Sequence, residues 1–340
     1  MTRPEYQLLY IATRQDFQEG HKKAVRDLAR SNDLDWELVY ETATQHGVAP
    51  LVFTTVISKD GEDLNIPEAI THKFELNTYS QVIENKKSAQ RLKEALAFFS
   101  ERSIDVMLAK GIALEQLVYD QPWFTATQDI DLILKRKLDD ISPEELHDIQ
   151  HTMHSSGIEY DFYSHHDLNI NGALPVDFDR IWGDAHPATL YEQQIYLMAP
   201  EDLLISVCIN SCRKRFFRLK SLCDISETVR KFPTLDWELL AEKAELYDCS
   251  PIIYTALQVT DQTLGCPVPD GAVSMLEISQ IRKRLIERMI RLLAENAALA
   301  SYPFSGVSLA GRQLNLAIIL PYLNYRGYQI WRKFREIRAG

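Results

Sequence analysis

The chain has 340 residues, 37 Lys+Arg against 48 Asp+Glu, a net charge of −11 and 46% apolar residues. That length gives room for two or three modules with ample core, and no run of about 18 apolar residues marks a membrane span. An acidic chain also suits a long nucleic-acid partner poorly, because phosphate neutralisation dominates such binding.

The charge is unevenly placed: residues 1–200 carry −15 and residues 201–340 carry +4. The start, Met1-Thr2-Arg3-Pro4-Glu5-Tyr6, has no signal-peptide pattern. Five cysteines, an odd number with no Cys-x-x-Cys pair, predict reduced thiols and a cytoplasmic setting. Cys208 and Cys212 read as small buried apolar residues rather than metal ligands.

Residues 1–102 read as a helical region. Asp16 to Ser31 has helical spacing, and Asp35-Trp36-Glu37-Leu38 starts a second helix that ends near His46-Gly47. Val48-Ala49-Pro50-Leu51-Val52 opens a third, and Pro67 starts a long fourth running to about Arg102. Its Lys86, Lys87, Arg91 and Lys93 read as a solvated basic face.

Residues 103–182 alternate strands and helices. A strand, Ile104 to Leu108, runs into Lys110-Gly111 and a helix, Ile112 to Tyr119. Glycine lets the backbone approach a ligand, and the helix N-terminus favours an anion. Next, Thr127 to Leu134 reads as a short buried strand. Residues two apart share a face, so Asp129 and Asp131 project together from an oily element. Two adjacent carboxylates repel and lose hydration unless a cation sits between them, and Mg²⁺ favours one or two carboxylates plus substrate phosphates. Ser142-Pro143-Glu144-Glu145 starts a helix that Gly157 ends. Its His147, His151 and His154 share a face and read as a surface cluster rather than a zinc site. Ile158 to Tyr163 and Asp167 to Ile170 read as strands, and Asn171-Gly172 as a hairpin turn into a strand around Asp177.

Residues 183–340 read as a second helical domain. Ala199-Pro200-Glu201-Asp202 starts a strongly apolar helix. Arg213-Lys214-Arg215-Phe216-Phe217-Arg218-Leu219-Lys220 then places five cations within eight residues, a pattern suited to clamping a triphosphate or lining an exposed turn. Asp224 is placed to orient one of those cations. Asp236-Trp237-Glu238-Leu239 resembles the start at Asp35 and reads as a shared local solution rather than a duplication. The last helix, about Tyr325 to Arg338, mixes aromatic and basic residues and reads as docking on the core.

Strand, Lys-Gly, helix and Asp-x-Asp strand resemble the polymerase β-like nucleotidyltransferase superfamily. The whole chain is similar to an uncharacterised bacterial nucleotidyltransferase family within it. The matching residues are Asp35-Trp36, His46-Gly47-Val48-Ala49-Pro50-Leu51, Leu108-Ala109-Lys110-Gly111, Asp129-Ile130-Asp131-Leu132, Val176-Asp177, Arg218 to Ile225 and Asp236-Trp237. The chain departs from the family at Thr125-Ala126-Thr127-Gln128, where an arginine is common, and at Asp179 and Asn210, where histidines are usual.

The resemblance implies an α+β fold: a polymerase β-like core, a small mixed sheet with helices, flanked by N- and C-terminal helical domains. It also implies transfer of a nucleoside monophosphate from an NTP, ATP among them, to an acceptor, with pyrophosphate released. Asp129, Asp131 and a third carboxylate, Asp177, would bind Mg²⁺, as two ions, with Mn²⁺ as a substitute. Lys110, Gly111, Arg213, Lys214, Arg218 and Lys220 would hold the phosphates. A small-molecule acceptor fits the acidic surface. A tRNA or protein acceptor, and a scaffold that keeps the fold without turnover, are the competing readings.

Overall fold

The computed structural model describes residues 3–31, 34–58, 64–124, 129–165, 167–170, 172–214 and 218–296. The Thr125–Gln128 stretch, His166, Asn171, Arg215 to Phe217 and the terminal helix read at Tyr325 to Arg338 lie outside the described residues.

The N-terminal region is helical, and it opens with a helix not read from sequence. Helices α1 (Pro4–Ala12), α2 (Glu19–Ser31) and α3 (Trp36–Gln45) lead to a short α4 (Ala49–Val52), continued by one π turn, and then to the 34-residue α5 (Glu68–Glu101). Asp35 caps α3 by accepting the Leu38 N–H at 3.0 Å. Helix α5 turns Ile70, Phe74, Leu92, Leu96 and Phe99 into the core, and buries Thr78, Asn85 and Ser88 beside them.

A five-stranded mixed sheet follows. Its strands are β1 (Val106–Ala109), β2 (Ile130–Leu134), β3 (Ile158–Phe162), β4 (His186–Leu190) and β5 (Gln193–Leu197), in spatial order β3-β2-β1-β5-β4. β1 is antiparallel to β2 and parallel to β5, β2 is parallel to β3, and β4 is antiparallel to β5. Every residue of β1 and β2 is buried, as their apolar runs require. Helix α6 (Lys110–Leu117) leaves the end of β1 with no loop, and α7 (Pro143–Ser156) returns to β3. Ser142 caps α7, and Gly157 ends it in the left-handed region at φ 62°.

Three expectations are corrected here. Residues 167–170 form turns rather than a strand. Asp177 is not on a strand. It caps α8 (Phe178–Asp184), accepting the Arg180 N–H at 3.1 Å. An aspartate followed by Phe178, Ile181 and Trp182, all buried at helical spacing, is a helix start. Third, residues past 182 are not wholly helical, because β4 and β5 form a hairpin that completes the sheet. Its two-residue turn is Tyr191-Glu192, both with positive φ (50° and 68°). That geometry usually takes Asn or Gly, so no turn signal was present to read.

The C-terminal helices are α9 (Pro200–Arg213), α10 (Leu219–Lys231), α11 (Trp237–Leu246), α12 (Ser250–Leu264) and α13 (Gln280–Asn296). The likeness between Asp35 and Asp236 extends well beyond one turn. In each case a buried glutamate near the start of an earlier helix, Glu5 or Glu201, accepts the aspartate's backbone N–H, at 3.2 and 2.9 Å. Twelve residues on from each aspartate, the helix ends in a left-handed residue, Gly47 (φ 71°) or Asp248 (φ 51°). The next N–H then reaches back to Ala43 O at 2.9 Å or Ala244 O at 2.8 Å. A proline helix follows each time. The two flanks therefore repeat one helical plan, which exceeds the shared helix start read from sequence.

Candidate active site

The site forms where the end of β1 meets the starts of β2 and β3. Register sets its first pair: Asp131 lies opposite Ala109 on one side and Glu159 on the other. Asp131 is buried at 5% exposure, and Asp129, just before β2, is exposed. Both line a cavity of about 400 Å³ with Lys110, Gly111 and Glu159. Partial burial raises the Glu159 carboxyl above its usual range, and the Asp131 charge beside it raises it further.

Lys110 stands at the turn from β1 into α6 in the left-handed region, φ 50°. For a residue with a Cβ this costs about 1–2 kcal/mol. The strain is offset by what the turn achieves. The ammonium lies 2.5 Å from Asp131 Oδ1 and 2.7 Å from Asp167 Oδ2. Burial alone would lower the Lys110 pKa, but the two carboxylates outweigh it and raise it. Gly111, one residue on, sits in the first turn of α6, where backbone N–H groups have no helical acceptor.

The opposite wall comes from α9 and α10. Arg213 Nη1 meets Asp167 Oδ2 at 2.5 Å. Burial would raise Asp167, but its bonds to Lys110 and Arg213 hold its carboxyl down at about 2. Lys220 pairs with Asp224 at 2.9 Å, and the Tyr119 hydroxyl donates to the other Asp224 oxygen at 2.6 Å. Asp224 thus orients a cation, as its sequence position suggested. Arg213, Lys214, Arg218 and Lys220 all line the cavity.

The N-terminal region also reaches the site. His46 Nδ1 accepts the Leu219 N–H at 3.1 Å, and His46 O accepts the Lys220 N–H at 3.3 Å. A histidine 173 residues away in sequence therefore caps the basic helix. Burial, with the Arg218 charge second, pushes the imidazole down to about 4, so it is neutral and able to accept.

The structure thus brings together Lys110, Gly111, Asp129, Asp131, Arg213, Lys214, Arg218 and Lys220 in one cavity. It does not bring Asp177 there: that carboxylate is exposed and engaged at the start of α8. In its place the sheet sets Glu159 beside Asp131. Three site residues were missed from sequence. Glu159 carried a local signal, apolar-acid-apolar in Ile158-Glu159-Tyr160, of the kind used for Asp177. Asp167 carried none, since a turn places it, and His46 stood out only as part of the family-like His46-to-Leu51 stretch, with nothing to mark the long-range cap it makes.

The donor chemistry suits a hard divalent cation. Asp129 and Asp131 offer carboxylate oxygens that Mg²⁺ takes together with substrate phosphates, and Glu159 adds a third beside them. Among the described residues no three His, Cys, Asp or Glu side chains already converge on one point. The Lys110 ammonium supplies the positive charge at Asp131 instead.

The mixed sheet, with β1 running into Lys110-Gly111 and Asp129-Ile130-Asp131 entering the strand beside it, is consistent with a polymerase β-like nucleotidyltransferase core. The chain belongs to an uncharacterised nucleotidyltransferase family, whose signature matches residues 32–265. No curated protein and no solved structure matches the chain. Among the described residues no helix is long and apolar enough to cross a membrane.

Proposed function

We propose that the chain transfers a nucleoside monophosphate from an NTP to an acceptor hydroxyl and releases pyrophosphate. One observation carries this reading: a single cavity of about 400 Å³ has the carboxylates Asp129, Asp131 and Glu159 on one wall and the cations Arg213, Lys214, Arg218 and Lys220 on the other. A triphosphate bridges such walls. Its β- and γ-phosphates would lie on the basic wall, with further contacts from Lys110 and the Gly111 N–H at the start of α6. Its α-phosphate would lie at the carboxylates.

Asp129 and Asp131, with the triphosphate oxygens, would hold Mg²⁺ or Mn²⁺, as one ion or two. The metal would offset phosphate charge and make the acceptor hydroxyl more acidic. Glu159 would accept the hydroxyl proton, since its raised pKa brings it closer to that of a working base. The hydroxyl oxygen attacks the α-phosphorus, and the bond from that phosphorus to the β-phosphate oxygen breaks. Arg213, Arg218 and Lys220 balance the charge that grows on the leaving pyrophosphate. The Lys110 ammonium would exchange Asp131 for phosphate and keep Asp167.

Label transfer tests this reading. The chain is incubated with Mg²⁺, an acceptor extract and each NTP labelled at the α- or the γ-phosphate. The proposal requires α-label, and no γ-label, to become covalently attached, and Glu159→Gln to slow the attachment about 100-fold or more. Transfer of γ-label, or of neither, overturns it.

A further inference from the structure

The catalytic cavity continues sideways. Glu159 lines a second crevice of about 720 Å³ as well, formed between α7 and β3 with His147, His151, His154 and Tyr160. β3 is an edge strand among the described residues: the sheet ends there. Parallel strands bond through alternate residues. Tyr163 N–H donates to Leu134 O, so Glu159 and Asp161 turn their main chains to β2. Tyr160 turns its N–H and C=O the other way, into the crevice, and among the described residues no hydrogen bond reaches them there.

We propose that this crevice seats the acceptor as an extended polypeptide, added as a further strand along β3, and that the acceptor group is a Ser, Thr or Tyr hydroxyl of that strand. The inference rests on the transfer reaction proposed above. An outward N–H and C=O at Tyr160 beside a helix is the geometry that takes up a peptide strand, because another backbone satisfies both. The Phe162 carbonyl already accepts the Ser164 N–H at 2.7 Å, so the added strand pairs about Tyr160. The register then does more than bind. Asp131 and Glu159 are opposite residues on one sheet face. A third strand continues that row, about 4.8 Å beyond β3. Its side chain opposite Glu159 points to the same face, toward the α-phosphate. A hydroxyl there gives its proton to the Glu159 carboxylate, and its oxygen bonds to the α-phosphorus as pyrophosphate leaves. The product is a phosphodiester on the peptide side chain. The imidazole-lined α7 wall supplies hydrogen-bonding side chains for the residues that face it.

The test uses the full chain with Mg²⁺, each α-labelled NTP, and pools of 12-residue peptides that are degenerate except for a central Ser, Thr, Tyr or Ala. Label on a hydroxyl pool at 10-fold or more over the Ala pool is the expected result. Tyr160→Pro removes the outward N–H and blocks strand addition while remaining tolerable on an edge. It should cut peptide labelling at least 10-fold and leave the NTP-induced rise in Tm unchanged. His151→Trp, which fills the crevice without touching the backbone, should do the same if the proline variant does not fold. Labelling confined to RNA or a small polyol in the same assay overturns the inference, as does peptide labelling that survives both variants. If no NTP raises Tm and nothing is labelled, the transfer reaction itself fails, and this inference with it.

Discussion

Asp131 and Glu159 are partners across β2 and β3, and their carboxylates belong to one cavity. That pairing moves the third carboxylate of the site from Asp177 to Glu159, and the two candidates separate cleanly by mutation. Glu159→Gln keeps size and hydrogen bonding but cannot take a proton. It should lower turnover roughly 10²–10⁴-fold, the usual worth of a positioned base, with NTP affinity kept. Asp177→Asn should hold turnover within about threefold, because that side chain caps α8 and asparagine caps as well. Steady-state rates with α-labelled NTP on both variants decide the matter. A dead Asp177→Asn with an active Glu159→Gln would reverse the assignment.

The basic wall predicts a separation of binding from stability. Arg218 is exposed and lines the cavity, so Arg218→Ala should raise KM for the NTP about 10-fold with Tm shifted by no more than a degree or two. Lys220→Ala also removes the cation paired with Asp224, which is 4% exposed, and leaves it the Tyr119 hydroxyl. It should weaken NTP binding and cost stability together. Calorimetric titration beside thermal melts on both variants tests the contrast.

His46 ties the N-terminal helices to this wall and makes it acid-sensitive. Its imidazole is held near 4 in the folded chain, against about 6.5 unfolded. Between those values the unfolded chain binds the extra proton, so stability is fully present above pH 6.5 and is lost as pH falls toward 4. The loss from this one group is of the order of 3 kcal/mol. His46→Asn, which can still accept the Leu219 N–H, should flatten the fall in Tm between pH 7 and pH 4.5. An unchanged pH profile would contradict the assignment.

The helical C-terminal region has a separate weak point. Lys243 is fully buried and sits 2.7 Å from Asp202 and 2.8 Å from Asp184. Burial raises the Asp202 carboxyl, and the Lys243 charge holds it back. Lys243→Ala would leave Asp202 buried without its counter-ion and should cost about 3–5 kcal/mol. The double variant Lys243→Met with Asp202→Leu should recover most of that. Urea unfolding of the three chains measures both steps.

What could be read from sequence follows the range of each interaction. Lys110-Gly111 and Asp129-Ile130-Asp131 are local patterns, one at a strand end and one in an oily strand, and both were legible. The capped starts at Asp35, Ser142 and Asp236 were legible for the same reason. Glu159 had a local pattern, an acid between apolar residues, but the pattern alone did not give its role, which comes from register with a strand 28 residues earlier. Asp177 misled because an aspartate between apolar residues fits a helix cap as well as a strand. The β4–β5 hairpin escaped because Tyr191 and Glu192 make a turn without Asn or Gly. His46 escaped because its partner, Leu219, is distant in sequence.

The most direct test of the central claim is thermal melting of the chain with each NTP, with and without Mg²⁺, on wild type and on Asp131→Asn. Ligand that binds the native state raises Tm by mass action, about 2.7 kcal/mol at 100 times Kd. For a domain of this size that is several degrees. A rise with at least one NTP that needs Mg²⁺ and disappears in Asp131→Asn is the predicted result. No rise with any NTP, or an equal rise in the variant, would contradict a metal-and-triphosphate site at Asp131.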